Sequence, residues 1–200
     1  MKKFFSTVLA LAAFATAQAQ DLKPFKVNLS LGYARPAGRG AAGGALGSIE
    51  PKYGLNDNID LGLRAEFAMM VRSASAAGAS TTDELRVAGS YLLTGTYLLT
   101  NTRFRPYVGV GTGLYTVGGA SLRFSEAAED ETATVTGGRK LGAMIRTGFK
   151  AGHFVLGLEY NLVPSTKGVV VRSSGTPITV TSQNSYLGIK LGFDIGGGAY

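Results

Sequence analysis

Residues 90–115 read SYLLTGTYLLTNTRFRPYVGVGTGLY, and their alternation decides the fold. Leu85, Val87, Tyr91, Leu93 and Tyr97 hold odd positions, with Arg86, Ala88, Ser90, Thr94 and Thr96 between them. Beyond Thr100-Asn101-Thr102-Arg103 the parity changes. Phe104, Val108, Val110 and Leu114 take even positions, and Gly109, Gly111 and Gly113 take odd ones. A period of two marks a strand whose faces meet different surroundings. Two such strands joined by a short turn make a hairpin. Each exceeds the ~5–6 residues usual in a globular sheet and suits the ~9–11 that cross a tilted bilayer path.

The pattern recurs along the chain. Strands are expected at 25–34, 46–55, 59–70, at the two quoted segments, and at 141–149, 154–162 and 184–195. Pro51 interrupts the second, because proline removes a ladder donor, and a bulge is expected there. Asn56-Asp57-Asn58 reads as a tight turn. Lys150-Ala151-Gly152-His153 reads as another. The connections after strands one, three, five and seven are long, and those after two, four and six are short. An eight-stranded antiparallel up-and-down transmembrane β-barrel has this rhythm, in an all-β chain.

The 200 residues include 29 glycines, no Trp and no Cys. Glycine at this level fits closely packed sheet backbone. The absence of cysteine rules out a disulfide framework and a thiolate metal site. Lys2 and Lys3, the apolar run Phe4 to Phe14 and the Ala17-Gln18-Ala19 site form a signal peptide over 1–19. The barrel domain then spans 20–200, with Gln20 as the first mature residue. The net charge of +7 falls to +5 without Lys2 and Lys3. Its bases are dispersed rather than clustered, so no nucleic-acid partner is expected. With no long apolar run after the signal, a membrane location requires a closed barrel.

The polar face carries Glu50, Lys52, Arg64, Glu66, Arg86, Arg146, Glu159 and Lys190 in mid-strand. These form an expected lumen ion network, because charges inside a narrow barrel must be paired or wet. The inward glycines at 109, 111 and 113 would let arginines lie against the opposite wall. On the apolar face, aromatics gather near strand ends. Tyr97, Phe104, Phe149, Phe154 and Phe193 fall at the short-turn end, and Tyr33, Phe67 and Tyr160 at the other. They are expected to form two interfacial girdles. A soluble periplasmic lipocalin-like binder would put the same two faces the other way round.

The segments YGLNDNIDLGLRAEF, RPYVGVGTGLY and SYLGIKLGFDI resemble small outer-membrane β-barrel proteins of Gram-negative bacteria, the opacity-protein and OmpX-like group. The resemblance covers Phe25 to Ile195. The signal ending AQAQ is similar to those of Bacteroidota secreted proteins. The resemblance implies an outer-membrane location, lipid as the surrounding partner and a monomer. It also implies recognition of the last strand by the barrel-assembly machinery, with Ile189, Leu191 and Phe193 matching the alternation that machinery reads. The tail Asp194 to Tyr200 departs from that pattern by continuing past the aromatic residue. The group is defined by fold, so a structural or surface-interaction role and a small solute channel both remain open.

No catalytic, cofactor or metal chemistry is expected. Gly109-Val110-Gly111-Thr112-Gly113 is not a dinucleotide fingerprint, since it lies inside a strand and ends on Leu114. His153 is the only histidine and cannot build a histidine-rich metal site or a triad. Glu126, Glu129, Asp130 and Glu131 lack EF-hand spacing and read as a solvated acidic loop. Glu66 and Glu159 could suggest paired-carboxylate hydrolysis, but ion pairing with Arg64, Arg86 and Arg146 accounts for them better.

Overall fold

The computed structural model describes residues 24–37, 42–72, 84–118, 120–126, 129–135, 138–171 and 177–197. The signal segment and Gln20, residues 73–83 and the last three residues lie outside them.

The described residues form strands and no helix. In chain order these are β1 (Phe25–Pro36), β2 (Gly44–Gly54), β3 (Ile59–Arg72), β4 (Glu84–Leu98), β5 (Phe104–Val117) and β6 (Ala120–Glu126). They continue with β7 (Glu129–Val135), β8 (Gly138–Ala151), β9 (Phe154–Leu162), β10 (Thr166–Val171), β11 (Pro177–Ser182) and β12 (Tyr186–Gly196). Eight of them close a barrel in the order β1-β12-β9-β8-β5-β4-β3-β2. Neighbours are antiparallel, and the circle is sealed where Lys26 faces Gly196 and Pro36 faces Tyr186. Closure leaves the barrel sheet itself without an edge. The eight-stranded antiparallel barrel expected from the alternation is the one observed.

Side-chain parity sets what lies inside. On β1, Lys26, Asn28, Ser30 and Ala34 are buried, while Phe25, Leu29, Leu31 and Tyr33 are exposed. The same split runs round the wall. Leu31, Tyr91 and Leu191 are 65–70% exposed, whereas Arg64 and Glu159 are 2% exposed. Apolar side chains therefore cover the outside and charges fill the inside. A soluble barrel has the reverse arrangement.

The ladder passes Pro51 without a bulge. Ile49 faces Ala65 and Lys52 faces Gly62, so one register holds on both sides. Only the intervening rungs to β3 are missing. Losing a donor removes hydrogen bonds locally, and the unbroken β1 pairing, with Val27 opposite Pro51, keeps the strand straight.

The short turns share one end with the chain termini. Asn56 Oδ1 accepts the backbone N–H groups of Asn58 and Ile59, which closes the β2–β3 turn. Gly152 adopts φ of 59°, a region that favours glycine, in the β8–β9 turn. At the opposite end, two connections that read as irregular in sequence contain hairpins, β6–β7 and β10–β11. The acidic residues fall at the β6–β7 tip, where Glu126 pairs with Glu129 and Phe124 with Glu131. The strand-forming content of Val169-Val170-Val171 and Ile178-Thr179-Val180 explains the second hairpin.

Candidate functional site

The barrel interior is the candidate site. It is built from inward positions of all eight barrel strands and falls into three layers.

Nearest the long connections is an apolar layer. Ala34, Leu46, Ala68, Met70, Ala88, Leu92, Tyr115, Val117, Met144, Val163 and Tyr186 form one buried cluster. Tyr115 lies over Gly142, where a Cβ would come within 2.7 Å of its ring. Its hydroxyl donates to Asn161 at 2.7 Å.

Below this lies a layer of paired charges. Arg64 on β3 donates to Glu159 on β9 at 2.7 Å and also contacts Glu66. Lys190 on β12 reaches Glu159 at 2.7 Å and Glu66 at 3.2 Å. Tyr186 donates to the other Glu66 oxygen at 2.7 Å. Arg146 on β8 grips Glu50 on β2 through two hydrogen bonds of 2.7 Å, and Thr94 donates to the same carboxylate. Two-pronged contacts of this kind fix orientation as well as charge.

The third layer faces the short-turn end. Lys26 pairs with Asp60 at 2.7 Å and Lys150 with Asp194 at 2.8 Å. Asn28 donates to Asp194, and Ser30 to Asn28. Lys52 approaches Asp194 only to 3.6 Å. Tyr107 lies across Gly148 and Gly157 and, with Leu98 and Val155, forms a small apolar patch. Arg105 closes the end by donating to the Thr100 carbonyl, the Asn101 side chain and the Asp57 carbonyl. Between the second and third layers is a cavity of about 30 Å³. Lys52, Asp60, Arg146, Lys150, Lys190 and Asp194 are among the residues lining it.

The structure thus brings together Glu50, Arg64, Glu66, Arg146, Glu159 and Lys190, with Lys52 one layer lower. Arg86 lies opposite Met70 on the β3–β4 ladder, and its side chain is outside the described residues. Sequence reasoning missed Lys26, Asp60, Lys150 and Asp194. Their parity was the available signal, since each continues the inward register of its strand. The sequence places Lys150 in a turn, but β8 runs on to Ala151 and carries Lys150 inside.

The glycines act differently from expectation. Gly109 lies beneath Arg146 of the adjoining strand, directly opposite it in the ladder, and not beneath an arginine from the far wall. Gly111 is crowded by Met144 and Thr94, and Gly113 by the Tyr91 carbonyl.

On the outer surface, Tyr33, Phe67, Tyr97, Phe104, Phe154 and Phe193 are exposed, while Phe149 and Tyr160 are half-buried. Phe149 packs on Phe104 with centroids 5.0 Å apart, and Phe193 packs on both Phe154 and His153. Among the described residues, no group of three or more His, Asp or Glu side chains is placed to hold a metal ion.

A family model described as "Outer membrane protein beta-barrel domain" matches residues 5–193. The chain belongs to that family. Two solved structures have the same fold. Neisserial surface protein A matches at 18% identity and TM-score 0.53, over 87% of this chain and 99% of its own. The outer membrane protein OprG from Pseudomonas aeruginosa matches at 16% identity and TM-score 0.51, over 88% and 98%. The likeness is one of fold. No curated protein sequence matches this chain. The apolar outer wall and charged interior described above are the arrangement that outer-membrane barrels have.

Proposed function

We propose that this protein resides in the outer membrane as a closed, non-conducting barrel and acts at the cell surface through its long connections. The interior carries the reading. Eight strands give a barrel only wide enough for side chains to fill. Here long charged side chains cross that space and engage each other. All four oxygens of Glu66 and Glu159 lie within contact distance of Arg64, Tyr186 or Lys190. That arrangement leaves neither carboxylate facing an open cleft, which supports a filling role over hydrolysis. The apolar layer above the ions obstructs the lumen a second time.

The outer wall would take outer-membrane lipid, and its exposed aromatics would mark the two interfaces. Closure of the barrel sheet without a free edge supports a monomer. The outward Ile189, Leu191 and Phe193 of β12 are the side chains the barrel-assembly machinery would read. The β6–β7 and β10–β11 hairpins lie in the connections that would face outward, which suits contact with another molecule.

Reconstitution in planar bilayers tests the closed lumen. Purified wild-type protein is expected to give no steady conductance. A reproducible large conductance would replace this reading with that of a solute channel. Protease treatment of intact cells is expected to cut within 118–137 or 163–185 and leave the barrel strands whole.

A further inference from the structure

We infer that the lower lumen chamber binds one small monovalent anion, of chloride size, beside Lys52. The inference rests on the closed-lumen reading and adds an occupant to it.

Pairing the charges identifies the place. Above the Arg105 cap, the described interior holds Lys26, Lys52, Arg64, Arg146, Lys150 and Lys190 against Glu50, Asp60, Glu66, Glu159 and Asp194. Arg146 takes Glu50, Lys26 takes Asp60, and Lys150 takes Asp194 at 2.8 Å. Arg64 and Lys190 share Glu66 and Glu159. Among the described residues, Lys52 is the cation left without a carboxylate of its own. Its contact with Asp194 is 3.6 Å long, and that carboxylate is already held by Lys150 and Asn28. Glu50, two residues away on the same face, is engaged by Arg146 and Thr94.

An ammonium group has three donors and no acceptor. Burying it with an excess positive charge is costly unless a counter-charge is near. The Lys52 side chain is 8% exposed, and it lines the cavity described above. That space of about 30 Å³ fits two or three water-sized particles, or one larger ion with a water, given the ~10–15 Å³ that a single water requires. The lining offers further donors in Lys150, Lys190, Asn28 and Thr96. Asp60, Glu159 and Asp194, which also line it, already hold cations. A polyatomic anion with bulky substituents would not fit, and a cation would face an excess of its own charge.

The test uses the full mature chain in detergent micelles at constant ionic strength, exchanging sodium gluconate for sodium chloride. Unfolding is followed by far-ultraviolet circular dichroism, since the chain has no tryptophan. A ligand that binds only the folded state raises its stability with concentration. The wild-type midpoint is expected to rise with chloride, and Lys52→Met to abolish the rise. A wild-type midpoint equal in both salts, or a rise that survives in Lys52→Met, overturns the site. Crystals of the wild type soaked in sodium bromide give a reading that does not depend on the variant folding. An anomalous peak at hydrogen-bond distance from Lys52 Nζ is expected, and its absence overturns the site. Bilayer recordings separate the two readings. Silence with a flat chloride response removes the anion and leaves the closed lumen. Steady conductance removes the closed lumen, and the chloride titration then decides the anion by itself.

Discussion

Leu158 and Glu159 are chain neighbours on β9 with opposite surroundings. Leu158 is 45% exposed on the outer wall, and Glu159 is buried between Arg64 and Lys190. Leu158→Arg places a charge where lipid would lie and should cost roughly 2–4 kcal/mol, the range for arginine near the bilayer midplane. Glu159→Ala removes a carboxylate from two buried cations and should cost about 3 kcal/mol, because breaking a buried pair leaves charge uncompensated. Denaturant titration in lipid vesicles measures both. A neutral Leu158→Arg would mean that the wall does not face hydrocarbon. A neutral Glu159→Ala would mean that Glu66 alone suffices for both cations. The opposing environments of these two residues follow from parity, which the sequence displays. Their partners do not, since Arg64 and Glu159 are 95 residues apart and no local pattern joins them.

Strands were the most legible level. β9 was expected over 154–162 and occupies Phe154–Leu162. Others run a turn or so further than their alternation suggested, as β8 does in carrying Lys150 inside. Sequence patterns fade at such ends because glycine and lysine break the hydrophobic count while the ladder continues. The β6–β7 and β10–β11 hairpins read as loops in the sequence because strands of six or seven residues are too short to show the long alternation of the barrel wall. Pro51 misled in the other direction: a lost donor need not shift register when the strand's other neighbour remains paired. The β8–β9 turn gives a prediction at this scale. A Cβ on Gly152 would meet nothing within 4 Å, so only its φ of 59° opposes a side chain. Gly152→Ala should cost about 1 kcal/mol from backbone strain alone. Gly138→Ala, equally uncrowded but without positive φ, should cost nothing measurable. Equal midpoints for the two variants in urea would show that the turn tolerates a side chain.

For the whole molecule, export comes first. The Ala17-Gln18-Ala19 site predicts a mature chain starting at Gln20, and intact-mass measurement of outer-membrane fractions should find it there. Recovery of Met1 on the mature protein would remove the signal assignment. The closure of β1 on β12 has a further consequence for how such a chain enters a bilayer. Asn28 meets Asp194 across 166 residues, Lys190 meets Glu66 across 124, and Arg146 meets Glu50 across 96. A ribbon of the first few strands would therefore present Glu50 to hydrocarbon without Arg146, and the Arg64–Glu66 pair without Glu159 and Lys190. Such a charge would penalise partial insertion until the strand that carries its counter-ion arrives, and the Asp194 contacts to Asn28 and Lys150 would form only with the last strand. The lumen ions would thus act as a completeness check on insertion, since a wall lacking its later strands would carry Glu50 uncompensated.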